Sequence, residues 1–252
     1  MTQYPIQSTR AIASRAMCLG ALLKRHGLEQ GMHSVNDLPD EIRDGWKREH
    51  KGIHQHLRTW CVEEKLMPHF SKDEQLLIDA PLGDWQQLDL ATVKWRGESL
   101  GMMLWTLGIV EVPYYDTQFD TESLLDPLDL MNPTIDFMWQ ADVINEQFIQ
   151  KARNLADLWH QRAQLEEQKR LGDAPPETSS FDTLIQSLAN DTYYDGNLPE
   201  LINDDFPVLG KAYHALDDEE YKKVASIAKE RLYALNWLCQ YSDDWDNVPL
   251  TK

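Results

Sequence analysis

The segment Trp95–Asp116, WRGESLGMMLWTLGIVEVPYYD, is the most apolar run of the chain and constrains the fold more than any other. Its apolar residues recur at steps of three and four, and others fill a neighbouring side of the same helix: Leu100, Met102, Met103, Leu104, Trp105, Leu107, Ile109 and Val110. A helix that is apolar on most sides is normally buried on most sides. Gly108 and Pro113 are suitable residues to end it. The segment therefore predicts a central helix on which the other helices pack.

Helical spacing and capping signals dominate the rest of the chain, and no strand-period run of useful length occurs. Further helices are expected at about residues 9–25, 39–66, 72–80, 121–125, 133–140, 145–170, 181–193 and 218–241. We predict an all-α fold, a single multi-helix domain over residues 1–252 around the buried central helix, with a minor sheet or none. The small polar residues and two prolines at about 172–180 predict an exposed, linker-like loop.

Particular residues set the ends and faces of these helices. Gly27 is expected to stop the first helix, and Ser71 with Glu74 has the spacing of a capping box for the third. Arg15, with Arg10, fits the surface side of the first helix. Phe148 is expected to face inward from the long helix at 145–170.

The charge of the chain is strongly acidic and unevenly spread. The formal net charge is −18; residues 1–70 carry +2, residues 71–172 carry −10 and residues 173–252 carry −10. Such a surface repels nucleic acid and anionic lipid, so we expect neither as a partner. Two interpretations fit this charge. It serves solubility alone, or it attracts a basic protein as a partner.

Cysteine usage and the lack of long apolar runs indicate a compartment. Cys18, Cys61 and Cys239 are far apart and odd in number, and no C-x-x-C pair occurs, so buried free thiols are expected. The sequence contains no run of about 18 uncharged apolar residues, so no membrane span is expected. The first residues lack the apolar core of a secretory signal. These features together predict a cytoplasmic protein with no membrane partner.

Charged residues next to apolar helical positions predict a polar network in the core. Arg96 and Glu98 open the central helix, while Glu230 and Arg231 lie in the last helix. Because an unpaired buried charge is very costly, such residues need partners. Arg–Glu pairs would tie the two helices together; alternatively, one carboxyl would have a raised pKa and serve in acid–base chemistry. The predicted network comprises Arg96, Glu98, Arg162, Glu230, Arg231, Asn236 and Asp246.

His160 gives the enzymatic alternative a further group. It lies on the long helix, where a neutral imidazole could act as a base or a ligand, or could simply bond a core carboxylate or carbonyl. An enzyme of this kind would be a small-molecule hydrolase or transferase that uses Glu98, His160 and Glu230.

Other motifs give no metal or cofactor site. His50 and His54 have a metal-capable spacing, but Lys47, Arg48 and Lys51 surround them and a solvated face is expected. The run 243–247, DDWDN, lacks the later glycine and glutamate of a calcium loop. No phosphate-binding loop, dinucleotide fingerprint or nucleophile elbow occurs. We expect no metal and no cofactor.

Several short motifs in fixed order resemble one bacterial family. They are Trp95-Arg96-x-Glu98-x-Leu100 with Leu104-Trp105, Trp159-His160-x-Arg162, Phe206-Pro207, Glu230-Arg231 with Ala234-Leu235-Asn236-Trp237-Leu238, and Trp245-Asp246-x-Val248. This pattern is similar to the domain-of-unknown-function 4272 family, from about Arg10 to Val248. The family typically closes with an Asp-Thr pair, whereas this chain ends Leu250-Thr251-Lys252.

The resemblance implies a helical protein and carries no established activity. With no catalytic signature and −20 of charge over residues 71–252, the leading expectation is a non-enzymatic protein that binds another protein. The partner would be basic, and by analogy with other small bacterial families it could be a toxin that this protein neutralises. The hydrolase or transferase described above is the alternative.

Overall fold

The structure is a computed structural model that describes residues 5–37, 39–175 and 179–250. Helix accounts for 68% of this part of the chain, which confirms the all-α prediction. The α-helices are α1 (Thr9–Ser34), α2 (Asp40–Glu63), α3 (Lys72–Asp79), α4 (Gln87–Thr106), α5 (Thr121–Leu125), α6 (Ile135–Gln140), α7 (Glu146–Leu171), α8 (Phe181–Tyr194) and α9 (Asp218–Leu238). Two short strands, β1 (Pro207–Val208) and β2 (Lys211–Ala212), pair in antiparallel register, with Pro207 opposite Ala212.

Helix α4 is the central element, as its apolar sequence predicts. It packs between α1 on one side and α9 on the other, and α9 also packs along α7. Leu100, Met103 and Leu104 are completely buried. On another side of the helix, a Cβ on Gly101 would lie about 2.4 Å from the ring of Phe119. A residue without a side chain is therefore needed there for the loop after α4 to pack against the helix.

Local capping chemistry fixes several helix ends. The capping box of Ser71 and Glu74 starts α3 as predicted, and Asp217 with Glu220 forms a second box at the start of α9. Gly172 ends α7 in the left-handed conformation, with φ of 76°. These caps satisfy backbone groups that a helix end otherwise leaves unpaired.

The expected stop of the first helix at Gly27 is wrong. Helix α1 continues to Ser34 because packing holds the turns beyond the glycine. Arg25 and Glu29 are both completely buried and form an ion pair at 2.5 Å across Gly27. The Glu29 carboxylate also accepts the backbone N–H of Gly83 at 2.8 Å. These contacts outweigh the cost of a glycine inside a helix, which is about 1 kcal/mol relative to alanine.

Two side chains lie on the opposite side from the one expected. Arg15 is only 7% exposed: it pairs with Glu74 at 2.5 Å and lies 4.5 Å from the ring centre of Trp245. An arginine can be buried when a carboxylate and an aromatic face replace its water. Phe148 was expected to face inward from α7 but is 62% exposed.

The remaining sequence features fall partly within the described residues. Cys18, Cys61 and Cys239 are buried free thiols, as predicted. In the loop expected at 172–180, residues 176–178 lie outside the described residues, as do the last two residues of the Leu250-Thr251-Lys252 ending. None of the described helices combines the length and apolarity needed to cross a membrane.

Candidate functional site

Glu98 of α4 and Arg231 of α9 meet in the core of the molecule. The Nε of Arg231 donates to the Glu98 carboxylate at 2.8 Å, and its two terminal nitrogens donate to the carbonyls of Pro113 at 2.7 Å and Thr117 at 2.9 Å. The backbone N–H of Phe119 also donates to Glu98, at 2.9 Å. Both charged side chains are at least 98% buried. The pair therefore holds α4, α9 and the loop after α4 together.

The environment of Glu98 acts on its protonation in both directions. Burial raises the pKa of this carboxyl, and although Arg231 and the Phe119 N–H lower it, the net direction is upward. A raised carboxyl pKa is typical of general acids, which also need access to a substrate. Here Arg231 and Phe119 occupy the carboxylate instead.

Arg96 and Glu230 form a second, outer pair between the same two helices. The Arg96 guanidinium donates to Glu230 at 3.3 Å, and the Ser99 hydroxyl donates to the same oxygen at 3.2 Å. Arg96 also lies 4.8 Å from the ring centre of Tyr233. The Arg96 and Glu230 side chains are 18% and 16% exposed, so water screens this pair more than the Glu98–Arg231 pair.

Arg162 belongs to a different cluster from either of these pairs. It binds Asp205 through two nitrogens, at 2.7 and 2.8 Å, and Glu166 at 3.1 Å. Asp205 also accepts the backbone N–H groups of Phe206 and His214. Burial alone would raise the pKa of Asp205, but the Arg162 guanidinium and the donors from His214 outweigh it and hold the pKa below its usual range. This cluster attaches the β1–β2 hairpin to α7.

Asn236 and Asp246 lie apart from these three clusters. Asn236 accepts the Arg153 Nε at 2.7 Å and donates to the carbonyl of Pro249 at 2.7 Å, so it holds the segment after α9. Asp246 is half-buried and accepts the first two backbone amides of α3 at 3.1 and 3.4 Å. The seven side chains of the expected network thus fall into two ion pairs and three other sites rather than one network, and each has a partner within the protein.

His160 lies on α7 and is 9% exposed. Burial lowers its pKa, so the imidazole is neutral at pH 7. Its Nδ1 has no hydrogen-bond partner within the described residues. Glu98, His160 and Glu230 are absent from the lining of four surface grooves in the described part of the chain.

The expected solvated histidine face is wrong in part. His54 is 8% exposed, and its Nε2 lies 3.3 Å from the carbonyl of Ile78. Burial and the charge of Arg25 lower its pKa to about 4. His50 stacks on the ring of Trp46, with ring centres 3.3 Å apart. Packing of α2 against α3 and α1 accounts for both positions.

A segment without basic residues is the main feature that our sequence reasoning missed. Residues 97–150 contain no Lys, Arg or His. Within them, nine carboxylates fall between residues 109 and 146: Glu111, Asp116, Asp120, Glu122, Asp126, Asp129, Asp136, Asp142 and Glu146. We call residues 109–146 the acidic segment. The signal was present in the sequence, but averaging charge over residues 71–172 diluted it.

The structure leaves these carboxylates open to solvent. Eight of the nine residues are exposed, and Asp116 is half-buried. None of them takes part in an ion pair with any described residue. Because no described cation pairs with them, their negative charge is available to attract a partner.

Two surface grooves flank the acidic segment. The α4–α7 groove has a volume of about 500 Å³ and is lined mainly by apolar side chains: Trp105, Ile144, Asn145, Phe148, Lys151, Ala152 and Leu155. The α1–α6 groove is larger, about 710 Å³, and is more polar: Thr9, Arg10, Ser14, Glu63, Glu64, Lys65, Leu66, His69, Thr134, Ile135, Met138 and Trp139. No group of three or more His, Cys, Asp or Glu side chains suited to a metal ion occurs among the described residues.

Comparisons with known proteins identify no relative of this chain. No family model, no curated protein and no solved structure matches the chain. The resemblance to the domain-of-unknown-function 4272 family therefore stays a prediction.

Proposed function

We propose that this protein acts in the cytoplasm by binding a basic protein partner through its acidic segment. The observation that carries the proposal is the run of nine carboxylates over residues 109–146, with no basic residue from 97 to 150 and no ion pair to any described residue. Exposed charge of one sign attracts a partner of the other sign over long range and speeds association.

The α4–α7 groove supplies the apolar part of such an interface. Phe148 is 62% exposed at this groove, and Asp142 and Glu146 lie within a few residues of its lining. Interfaces commonly combine an aromatic contact with a polar, charged rim. A basic protein surface with an apolar side chain at its centre fits this arrangement.

A basic toxin that this protein neutralises is one partner of that kind. This form of the proposal rests on the bacterial-family resemblance and on analogy. The contacts of its two carboxylates do not support the alternative, a hydrolase or transferase using Glu98, His160 and Glu230. Glu98 is occupied by Arg231 and Phe119, and Glu230 by Arg96 and Ser99.

The test compares two variants with the same change in net charge. One carries Glu111→Gln, Asp142→Asn and Glu146→Gln in the acidic segment. The control carries three neutralised carboxylates, also exposed, at the end of α8 and in the loop after it: Asp191→Asn, Asp195→Asn and Glu200→Gln. Each tagged protein is used for capture from native lysate at low salt, and bound proteins are identified by mass spectrometry.

The proposal expects a basic protein to be retained by the wild type and the control variant and lost by the acidic-segment variant. With the purified partner, the association rate should fall steeply between low and physiological salt, since screening shortens the range of attraction. Equal retention by both variants, or an association rate independent of salt, would contradict the proposal.

A further inference from the structure

The α1–α6 groove has the size of a small-molecule site. Its volume of about 710 Å³ lies within the range of ligand pockets, roughly 300–1,000 Å³. One wall is formed by Ile135, Met138 and Trp139 of α6. Trp139 is 84% exposed. A tryptophan that is this exposed at the edge of a groove offers its ring face for stacking with a planar ligand.

The floor of the groove carries a free hydroxyl group. Ser14 of α1 is 2% exposed and lines the groove, yet it forms no hydrogen bond with any described residue. Serines inside helices commonly bond a carbonyl one turn back, and buried hydroxyls are normally satisfied. The Thr134 hydroxyl, by contrast, is already engaged, because it donates to the Glu64 carboxylate at 2.6 Å. Ser14 is thus available as a donor to a ligand.

Two basic side chains, Arg10 and Lys65, and two acidic ones, Glu63 and Glu64, line the groove. Arg10 and Lys65 line it and take part in no ion pair with the described residues. Burial lowers the pKa of His69 in the same wall, and the charges of Arg10 and Arg15 lower it further. The opposing Glu64 carboxylate is held by the Thr134 backbone and hydroxyl. Arg10 and Ser14 lie one turn apart on α1, so an anion that accepts a hydrogen bond from Ser14 is also attracted by the charge of Arg10.

We propose that the α1–α6 groove binds a small aromatic organic anion, with its ring on Trp139 and its acidic group at Arg10, Lys65 and Ser14. The α6 wall of this site lies within the acidic segment, but Arg10, Lys65 and Ser14 lie outside it, and the site does not depend on the proposed protein partner. A carboxylate, sulfonate or phosphate on an aromatic body meets both requirements, because guanidinium and ammonium groups bind such oxygens and Trp139 holds the ring.

Two fluorescent probes that differ in one charged group test the proposal. The first is 8-anilinonaphthalene-1-sulfonate, and the second is N-phenyl-1-naphthylamine, which has the same rings without the sulfonate. Each is titrated into the wild type, Trp139→Ala, Arg10→Gln/Lys65→Gln, Ser14→Ala and Phe148→Ala. Phe148→Ala is the matched control, since it removes an exposed aromatic from the other groove. Circular dichroism and thermal melting establish that every variant is folded.

The expected results separate stacking from charge. Trp139→Ala should weaken binding of both probes at least fivefold, since stacking on an aromatic is worth about 1–3 kcal/mol. Arg10→Gln/Lys65→Gln should weaken the sulfonate at least threefold and leave the uncharged probe within twofold of the wild type. Ser14→Ala should weaken only the sulfonate, and Phe148→Ala should change neither affinity more than twofold.

Three outcomes overturn the proposal. The first is the absence of saturable sulfonate binding. The second is binding that Trp139→Ala does not weaken. The third is equal affinity for the two probes with no effect of Arg10→Gln/Lys65→Gln, which would make the groove an apolar docking surface rather than an anion site.

Discussion

Replacing Arg231 with methionine tests the buried pair of α4 and α9 directly. Arg231 is completely buried and supplies donors to Glu98 and to the carbonyls of Pro113 and Thr117. Methionine fills much of the volume but donates nothing. The Glu98 charge and two carbonyls then lose their donor in a place that water does not reach.

The size of the effect follows from these contacts. Removing one partner of a buried ion pair costs roughly 3–5 kcal/mol, and each carbonyl left without its donor costs about 1 kcal/mol or more. These contributions overlap, so we expect Arg231→Met to lower the free energy of unfolding by about 4 kcal/mol. For a chain of this size, that corresponds to a fall in melting temperature of roughly 10 °C.

Urea denaturation followed by circular dichroism measures the change. Glu98→Gln in the Arg231→Met background should recover part of the loss, since it removes the stranded charge. The two changes should therefore be non-additive by about 1 kcal/mol or more. Arg58→Met is the matched control, because its pair with Asp79 is about half exposed and should cost less than about 1 kcal/mol. An Arg231→Met variant as stable as this control, or strict additivity with Glu98→Gln, would refute the reasoning.

Two further predictions concern packing and pH. Gly101→Ala should destabilise the protein by about 1–3 kcal/mol because the new methyl group meets the Phe119 ring; Gly52→Ala, whose Cβ has open space on α2, should stabilise by up to about 1 kcal/mol in the same urea titrations. Equal effects would contradict the packing argument. Since the pKa of His54 is lowered to about 4, the unfolded chain binds a proton between about pH 6.5 and 4 that the folded chain does not. His54 therefore leaves the free energy of unfolding unchanged above pH 6.5 and lowers it by about 3 kcal/mol as the pH falls to 4. His54→Gln should lose less stability across this window, and identical slopes for the two proteins would show that another group is responsible.

The parts of the fold that the sequence predicts correctly are those decided by neighbouring residues. The apolar surface of residues 100–107 requires burial, whereas Ile109, expected on the same helix, lies beyond the end of α4 and is 40% exposed. The Ser71 and Glu74 box fixes a helix start through contacts three residues apart. The prediction that α1 stops at Gly27 was wrong because contacts with residues distant in sequence determine where the helix ends. Glu29 binds the N–H of Gly83, and a contact of that sequence separation leaves no periodic signal.

The sequence predicts that buried charged residues have partners, but it does not predict which residues pair. That Glu98 needs a cation follows from its apolar surroundings. Which cation it has depends on how α4, α7 and α9 cross, and the sequence leaves Arg96, Arg162 and Arg231 all open as partners. Arg162 instead binds Asp205, a residue in the irregular region before β1. The prediction that Arg15 is exposed was wrong for the same reason. Only the fold shows that Glu74 and the ring of Trp245 take the place of water around its guanidinium.

The separation between Glu98 and Arg231 also has a consequence for how the chain folds. The two residues are 133 positions apart, so the contact that joins α4 to α9 closes a very long loop. During synthesis, α1 and α4 emerge well before α9 and can pack on each other early. The part of α4 that α9 covers then stays exposed until α9 has been synthesised. Nascent chains arrested before α9 should be readily cleaved by protease and bound by chaperones, with protection arriving only when α9 is released.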